Sequence, residues 1–500
     1  MDGSTTSFDL PPNIPAPATG TIATTPHPPR TATPKEFPEI EPNQDFGAAT
    51  LVTTPAIIKG AIESDKDVDL FRFAATAGEA LTLEVNAART GSLLDSRLEI
   101  LTEAGSPVEQ VVLQATRDSW FTFRGKDSTT SDDFRLHNWA EMELNEYLYA
   151  NGEVVKLWLY PRGPDSGFKV YPGSGSRQTR FGTPALVHAL GAPAFVVTPL
   201  PPKSDPAPNG LPVFRLNYEN DDDSTRRSGA DSLLLFTAPQ DGNYLVRLTD
   251  VRRMGGLKDF GYTLHIRPQN PRFTATSDTS LKVSPGSGRE LPFSIDRFEG
   301  FDGPVRIELS NLPKGFTSNS PLEIEAGQIS AIGAIYASKD AAAPMASEVA
   351  GIKITATAMI GGQEIKLELP GLKSLELTSS PKVTIEIIPG DDRSFVRETP
   401  GQPTEFVIHP GQTISAKVRA VRHDFKERIE LGGDDSGRNL PHGVYVDNIG
   451  LNGLLIVEDR TEREFFLTAS KVTQRGTRLF HLRTTADGTQ TSTPVLLRVE

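Results

Sequence analysis

The 500-residue chain contains no cysteine, which removes disulfides, thiolate metal sites and cysteine nucleophiles from consideration. That absence leaves the compartment open, because domains of this size bury adequate cores without cross-links. No run of about eighteen apolar residues occurs, so no helix is available to span a bilayer. Basic residues are in the minority, 51 Lys and Arg against 64 Asp and Glu, and the net charge is −13. Nucleic acid and anionic membranes both demand a basic face, so neither is an expected partner. Also missing are a Gly-x-Ser-x-Gly elbow, a His-Glu-x-x-His helix and a phosphate-cradling Gly-x-x-x-x-Gly-Lys loop. The eight histidines (His27, His137, His188, His265, His409, His423, His442, His481) are scattered without metal-ligand spacing. No catalytic apparatus is therefore expected.

What is present points to an all-β, multidomain β-sandwich protein. Forty prolines and forty-three glycines fit many short strands joined by tight turns, and no long amphipathic helical pattern appears. Leu81, Leu83 and Val85 alternate with Thr82 and Glu84, and Tyr244, Val246 and Leu248 with Leu245 and Arg247, the period of strands with one buried face. Ala77-Gly78 and Asp241-Gly242 fall where turns are needed, since glycine takes positive φ at little steric cost. The length suggests about three domains plus linkers.

Several motifs recur in a fixed order. Glu39-Ile-Glu41-Pro42-Asn43-Gln44-Asp45 precedes Asp65-Lys-Asp67-Val-Asp69-Leu-Phe71-Arg-Phe73, then Ala77-Gly-Glu-Ala-Leu-Thr-Leu-Glu-Val85 and Gly91-Ser-Leu-Leu-Asp95. Far downstream come Asn220-Asp221-Asp222-Asp223, Asp231-Ser-Leu-Leu-Leu-Phe236, Pro239-Gln-Asp-Gly-Asn-Tyr244 and Gly261-Tyr-Thr-Leu-His-Ile266. Over residues 39–268 this series resembles the bacterial pre-peptidase C-terminal domain, a β-sandwich appended to secreted proteases and large surface proteins. The long block at about 126–215 resembles an insertion found in planctomycete copies of that domain. The resemblance implies export. The chain opens without a charged and apolar leader, so the expectation is that the natural N-terminus lies upstream.

Residues 1–38 are Pro/Thr-rich, with too few apolar side chains for a core, and read as a semi-extended linker. Beyond residue 268 the chain repeats itself at offsets of 122 to 128 residues. Pro285-Gly286, Phe301, Val305-Arg-Ile-Glu-Leu309 and Asn311-Leu-Pro-Lys-Gly-Phe316 recur as Pro410-Gly411, Phe425, Glu427-Arg-Ile-Glu-Leu431 and Asn439-Leu-Pro-His-Gly-Val444. So long a period marks a duplicated domain rather than a solenoid. The copies, 269–390 and 391–500, look like the immunoglobulin-type modules that follow pre-peptidase C-terminal domains. Pro494–Val499 reads as a last strand, from which a natural C-terminus is expected.

Two candidate sites follow. Glu39, Glu41, Asn43 and Asp45, with Asp65, Asp67 and Asp69 nearby in the expected fold, offer hard oxygen ligands of the kind calcium takes. In calcium-binding members of the family, a Glu-x-Glu-x-Asn-Asp opening and an aspartate-rich strand supply the ligands. Here Gln44 stands where the aspartate belongs, which weakens the charge, and a solvated acidic edge is the competing reading. The second candidate is the insertion, where Trp139, Tyr147, Tyr149, Trp158 and Tyr160 could stack on a polysaccharide or anchor an extracellular protein, or else form the insertion's own core. The Asn220–Asp223 run reads as a turn with local ion pairs, with a part in a metal site as its alternative.

The functional expectation is a non-catalytic secreted, cell-surface or periplasmic module that binds or spaces. The alternative is an accessory region of an exported peptidase or other hydrolase whose catalytic domain lies outside this chain.

Overall fold

The computed structural model describes residues 33–162, 166–225, 227–256, 259–278, 280–432, 436–447 and 453–500. Most of the Pro/Thr-rich segment, and residues 163–165 and 433–435, lie outside them. The fold is almost entirely β, a set of packed sandwiches with only short helical turns.

Two five-stranded sheets face each other in the first sandwich. One runs Lys35–Pro38, Ala56–Ala61, Gly261–Pro268, Ala80–Asn86, Leu233–Thr237; the other runs Glu219–Asn220, Ser96–Thr102, Gly242–Asp250, Asp69–Ala75, Thr50–Leu51. Between them Phe71, Phe73, Leu81, Leu83, Val85, Phe236, Val246 and Leu264 are fully shielded from solvent. At roughly 1.5–3 kcal/mol per buried large apolar side chain, this core dominates the unit's stability. The segment Lys35–Pro38, read from sequence as linker, is instead an edge strand paired in parallel with Ala56–Lys59. Phe37 packs on the core, and an edge position tolerates Pro38. Gly78 takes positive φ (80°) as its turn requires, whereas Gly242 does not and opens a strand.

The middle of the chain forms a seven-stranded sheet ordered Val213–Asn217, Glu109–Trp120, Pro193–Leu200, Tyr147–Ala150, Glu153–Leu159, Phe168–Val170, Asp133–Phe134. It begins well before residue 126, because the long strand Glu109–Trp120 belongs to it. Asn151 (φ 49°) and Gly152 (φ 102°) turn Tyr147–Ala150 back onto Glu153–Leu159, both in the conformation a two-residue hairpin turn needs. The stretch after Trp139 is a single 3₁₀ turn, Trp139–Glu141.

The duplicated half shows the repeat in its backbone. Asn311 and Asn439 share φ 61°, and Gly315 and Gly443 have φ 84° and 85°. The Phe316 and Val444 amides donate to Pro313 O and Pro441 O at 3.0 and 2.9 Å, and the Ser338 and Ser470 amides donate to Gly315 O and Gly443 O, each at 2.8 Å. The two copies are joined edge to edge through Gly288 and Thr491, and Glu290 accepts from Arg438 Nε at 2.8 Å across the junction.

Further ion pairs cross between units: Arg227–Asp296 at 2.8 Å, Arg180–Asp302 at 3.5 Å and Arg478–Glu325 at 2.7 Å. Each is modest alone. Together they tie neighbouring units to one another.

Candidate functional site

The acidic opening is positioned by strand register. Pro38 pairs with Lys59, so Glu39 follows alongside Gly60, and Gly60 lies opposite Tyr262 on the next strand. Asp69 opens its own strand from the facing sheet. Glu39, Glu41 and Asp69 thereby bring carboxylate oxygens within 4.8 Å of one another. Gly60 is necessary for this closeness: a Cβ there would lie 2.5 Å from Tyr262 Oη and 2.6 Å from Glu39 Oε2.

Donors are scarce around these carboxylates. Glu39 accepts from Asn43 Nδ2 at 3.0 Å, from the Ala61 amide at 2.9 Å and from Tyr262 Oη at 3.1 Å. The same hydroxyl lies 2.5 Å from Asp69 Oδ2, and it has one proton to share between the two. Three buried oxygens are left without any hydrogen-bond partner: Glu41 Oε1, Asn43 Oδ1 and Asp69 Oδ1. Asn43 and Asp69 are both 0% exposed. Burial, then the neighbouring Glu39 carboxylate, push the Asp69 carboxyl up to about 10. Burial also raises Glu41.

The other acidic residues of the opening take different roles. Asp67 accepts from Gln44 Nε2 at 3.2 Å and from the Glu63 amide at 2.6 Å. Gln44 Nε2 also donates to Glu41 Oε2 at 2.6 Å, so its neutral amide bridges two carboxylates. Asp45 is exposed and, like Asp67, lies outside the group of three. The Asn220–Asp223 run ends a short strand and bends into the turn at Ser224–Thr225, where Asp223 accepts from the Thr225, Arg227 and Ser228 amides.

The five aromatics of the insertion do not share one surface. Tyr149 stacks on Phe214 at 3.8 Å and Tyr147 lies tilted against Phe181 at 5.5 Å, both against the insertion's own sheet. Tyr160 meets Tyr445 at 6.2 Å, and Trp158 lies 6.4 Å from His442, in contacts with the last unit of the chain. Arg162 reinforces that contact, its guanidinium 4.2 Å over the Tyr445 ring. Trp139 is 45% exposed. Trp120, just before the insertion, is also open to solvent, with His137 stacked on it at 3.8 Å, as is Phe123, which sequence reasoning missed.

Also unforeseen is a buried polar cluster inside the insertion. Glu153 Oε1 accepts from Arg177 Nε at 2.5 Å, and its Oε2 accepts from the Leu186 amide at 2.8 Å and lies 2.8 Å from His188 Nε2. All three side chains are 0% exposed. His188 thus pairs with Glu153.

No protein-family model and no curated protein matches this chain. Among solved structures it is similar to a Porphyromonas gingivalis W83 protein of unknown function, at 9% identity and TM-score 0.16, covering 45% of this chain and 99% of that one. A marsupial T cell receptor is similar at 11% identity and TM-score 0.15, covering 46% of this chain and 72% of the receptor.

Proposed function

We propose that this chain is a non-catalytic, extracellular β-sandwich binding module whose first sandwich is braced by calcium. The observation that carries this reading is the trio of orphaned buried oxygens, Glu41 Oε1, Asn43 Oδ1 and Asp69 Oδ1, beside three crowded carboxylates. Each orphaned acceptor costs about 1–3 kcal/mol if nothing pairs with it. A hard cation satisfies acceptors and relieves carboxylate repulsion at once, and an all-oxygen donor set suits calcium over softer metals. Glu39, Glu41, Asn43 and Asp69 would hold the ion. Its chemistry would be charge neutralisation and the tethering of the opening loop to the strand of Asp69. Gln44 removes one formal charge from the family's pattern, consistent with the weak, 10⁻⁴–10⁻³ M class of calcium sites in extracellular modules. The resemblance to the pre-peptidase C-terminal domain and its immunoglobulin-like followers supports the same assignment.

Calorimetric titration of calcium into EDTA-treated protein, with melting followed in parallel, tests it. Saturable binding and a raised melting temperature, both lost in Glu41→Ala, are expected. No heat and no shift at 10 mM calcium would overturn the metal reading.

A further inference from the structure

The insertion carries a cleft of about 550 Å³ between the segment 124–133 and the segment 187–189. That volume lies in the range of ordinary small-ligand sites. Its walls are pinned by one residue: Arg177 Nη1 donates to Ser128 O and Ser131 O on one side, and Nη2 donates to Leu186 O on the other, while Nε and Nη2 hold Glu153. All five guanidinium donors are used, so the cleft is formed in advance rather than on demand.

Lys126 lines this cleft with only 5% of its surface exposed. Its ammonium donates to Ser131 Oγ at 3.1 Å and lies 5.6 Å from the Phe134 ring centroid. Among the described residues no carboxylate reaches ion-pairing distance. Arg124 sits at the same cleft, paired with Asp133 at 2.5 Å, and Asp127 is exposed at its edge. A buried ammonium with two donors to spare is costly unless an anion meets it. Burial lowers its pKa accordingly.

We propose that this cleft binds an acidic saccharide, with the carboxylate of a uronic acid residue on Lys126. The class follows from the mixture of groups. One unsatisfied cation calls for one negative charge, and Asp127 and Asp133 repel a polyanion but accept from sugar hydroxyls. Val187, 58% exposed on the cleft wall, offers apolar surface for the C–H groups of a pyranose ring. The proposal deepens the binding-module reading above and is independent of the calcium site.

The test is calorimetric titration of a trisaccharide of one galacturonic acid and two galactose residues, which carries a single carboxylate, into the full chain, with a neutral galactose trisaccharide and an acetylated tripeptide with a free carboxylate as comparison probes. Saturable binding of the uronate probe alone is expected, weakened about 10-fold or more in Lys126→Met, as loss of a charge-assisted hydrogen bond requires. Val187→Ser, at an exposed position on the cleft wall, is expected to weaken binding without altering the melting temperature, which keeps the test decisive if Lys126→Met misfolds. Absence of uronate binding at millimolar concentration, or binding unchanged in both variants, would overturn the proposal. Equal or tighter binding of the peptide would overturn the saccharide class in favour of a protein ligand. Failure here with a calcium-dependent melting temperature intact would leave the calcium-braced sandwich standing.

Discussion

Asp69 in the first sandwich and Glu153 in the insertion are both carboxylates removed from water, yet their electrostatics run in opposite directions. Burial raises both. Around Glu153, hydrogen bonds from His188 and Arg177 more than offset that burial, and its carboxyl ends below the usual range. Asp69 meets another carboxylate instead of a cation and is pushed up to about 10. Depth alone therefore says little about a buried acid: the count of donors and positive charges around it decides whether the site is complete. The insertion's cluster is closed by its own residues, whereas the acidic opening needs something added from outside.

The sharpest way to break this contrast is to take away Glu153's partner. Arg177→Met should destabilise the insertion by about 3–5 kcal/mol, because it strands a buried charge; a urea midpoint unchanged from the parent would show the pair to be dispensable. At the other site the matching substitution should behave differently. Asp69→Asn is expected to abolish the calcium-dependent stabilisation, which is about 2.7 kcal/mol at 100 times Kd. In EDTA the same variant should be no less stable than the parent, since Asn is neutral at that position without the proton that a buried Asp69 must take up against the bulk pH; scanning calorimetry with and without calcium reads both effects.

The two sites should also tilt stability oppositely with pH. For Asp69 the folded pKa is raised, so its contribution is complete below its unfolded value of about 4 and is lost as pH rises toward about 10. Calcium-free protein should thus lose up to about 1.4 kcal/mol per pH unit across neutrality, a slope that Asp69→Asn removes. Glu153, with its pKa lowered, contributes above its unfolded value and loses that contribution on acidification. A melting temperature flat from pH 5 to 9 in EDTA would contradict the Asp69 side of the comparison. The smallest effect is expected where an aromatic has no buried role: Trp139→Ala should change stability by no more than about 0.5 kcal/mol.

Local pattern carried much of this into view. The alternation at Leu81–Val85 reappears as a strand, and the 122–128-residue repeat as matched left-handed asparagines. The acidic opening was legible as oxygen-rich chemistry, though not its division of labour. That Asp67 would be absorbed by Gln44 and the Glu63 amide, and Asp45 left in solvent, depends on loop geometry that no spacing encodes. The aromatics were hardest to place. Tyr149 and Trp158 read alike along the chain, yet one packs on its own sheet and the other against His442, nearly three hundred residues away.

By itself, then, the sequence determined the all-β class, the duplication and the residue types gathered at the acidic opening, because strand period, turn chemistry and composition act over a few neighbouring residues. The tertiary structure alone decided which carboxylates meet, which cation stays unpaired and which aromatics face water. Those outcomes rest on contacts between distant segments: Glu39 beside Gly60 and Tyr262, Arg177 between Glu153 and two loops, and Lys126 opposite His188. In each case burial sets the cost of a polar group, and only the folded chain shows whether a partner is there to offset it.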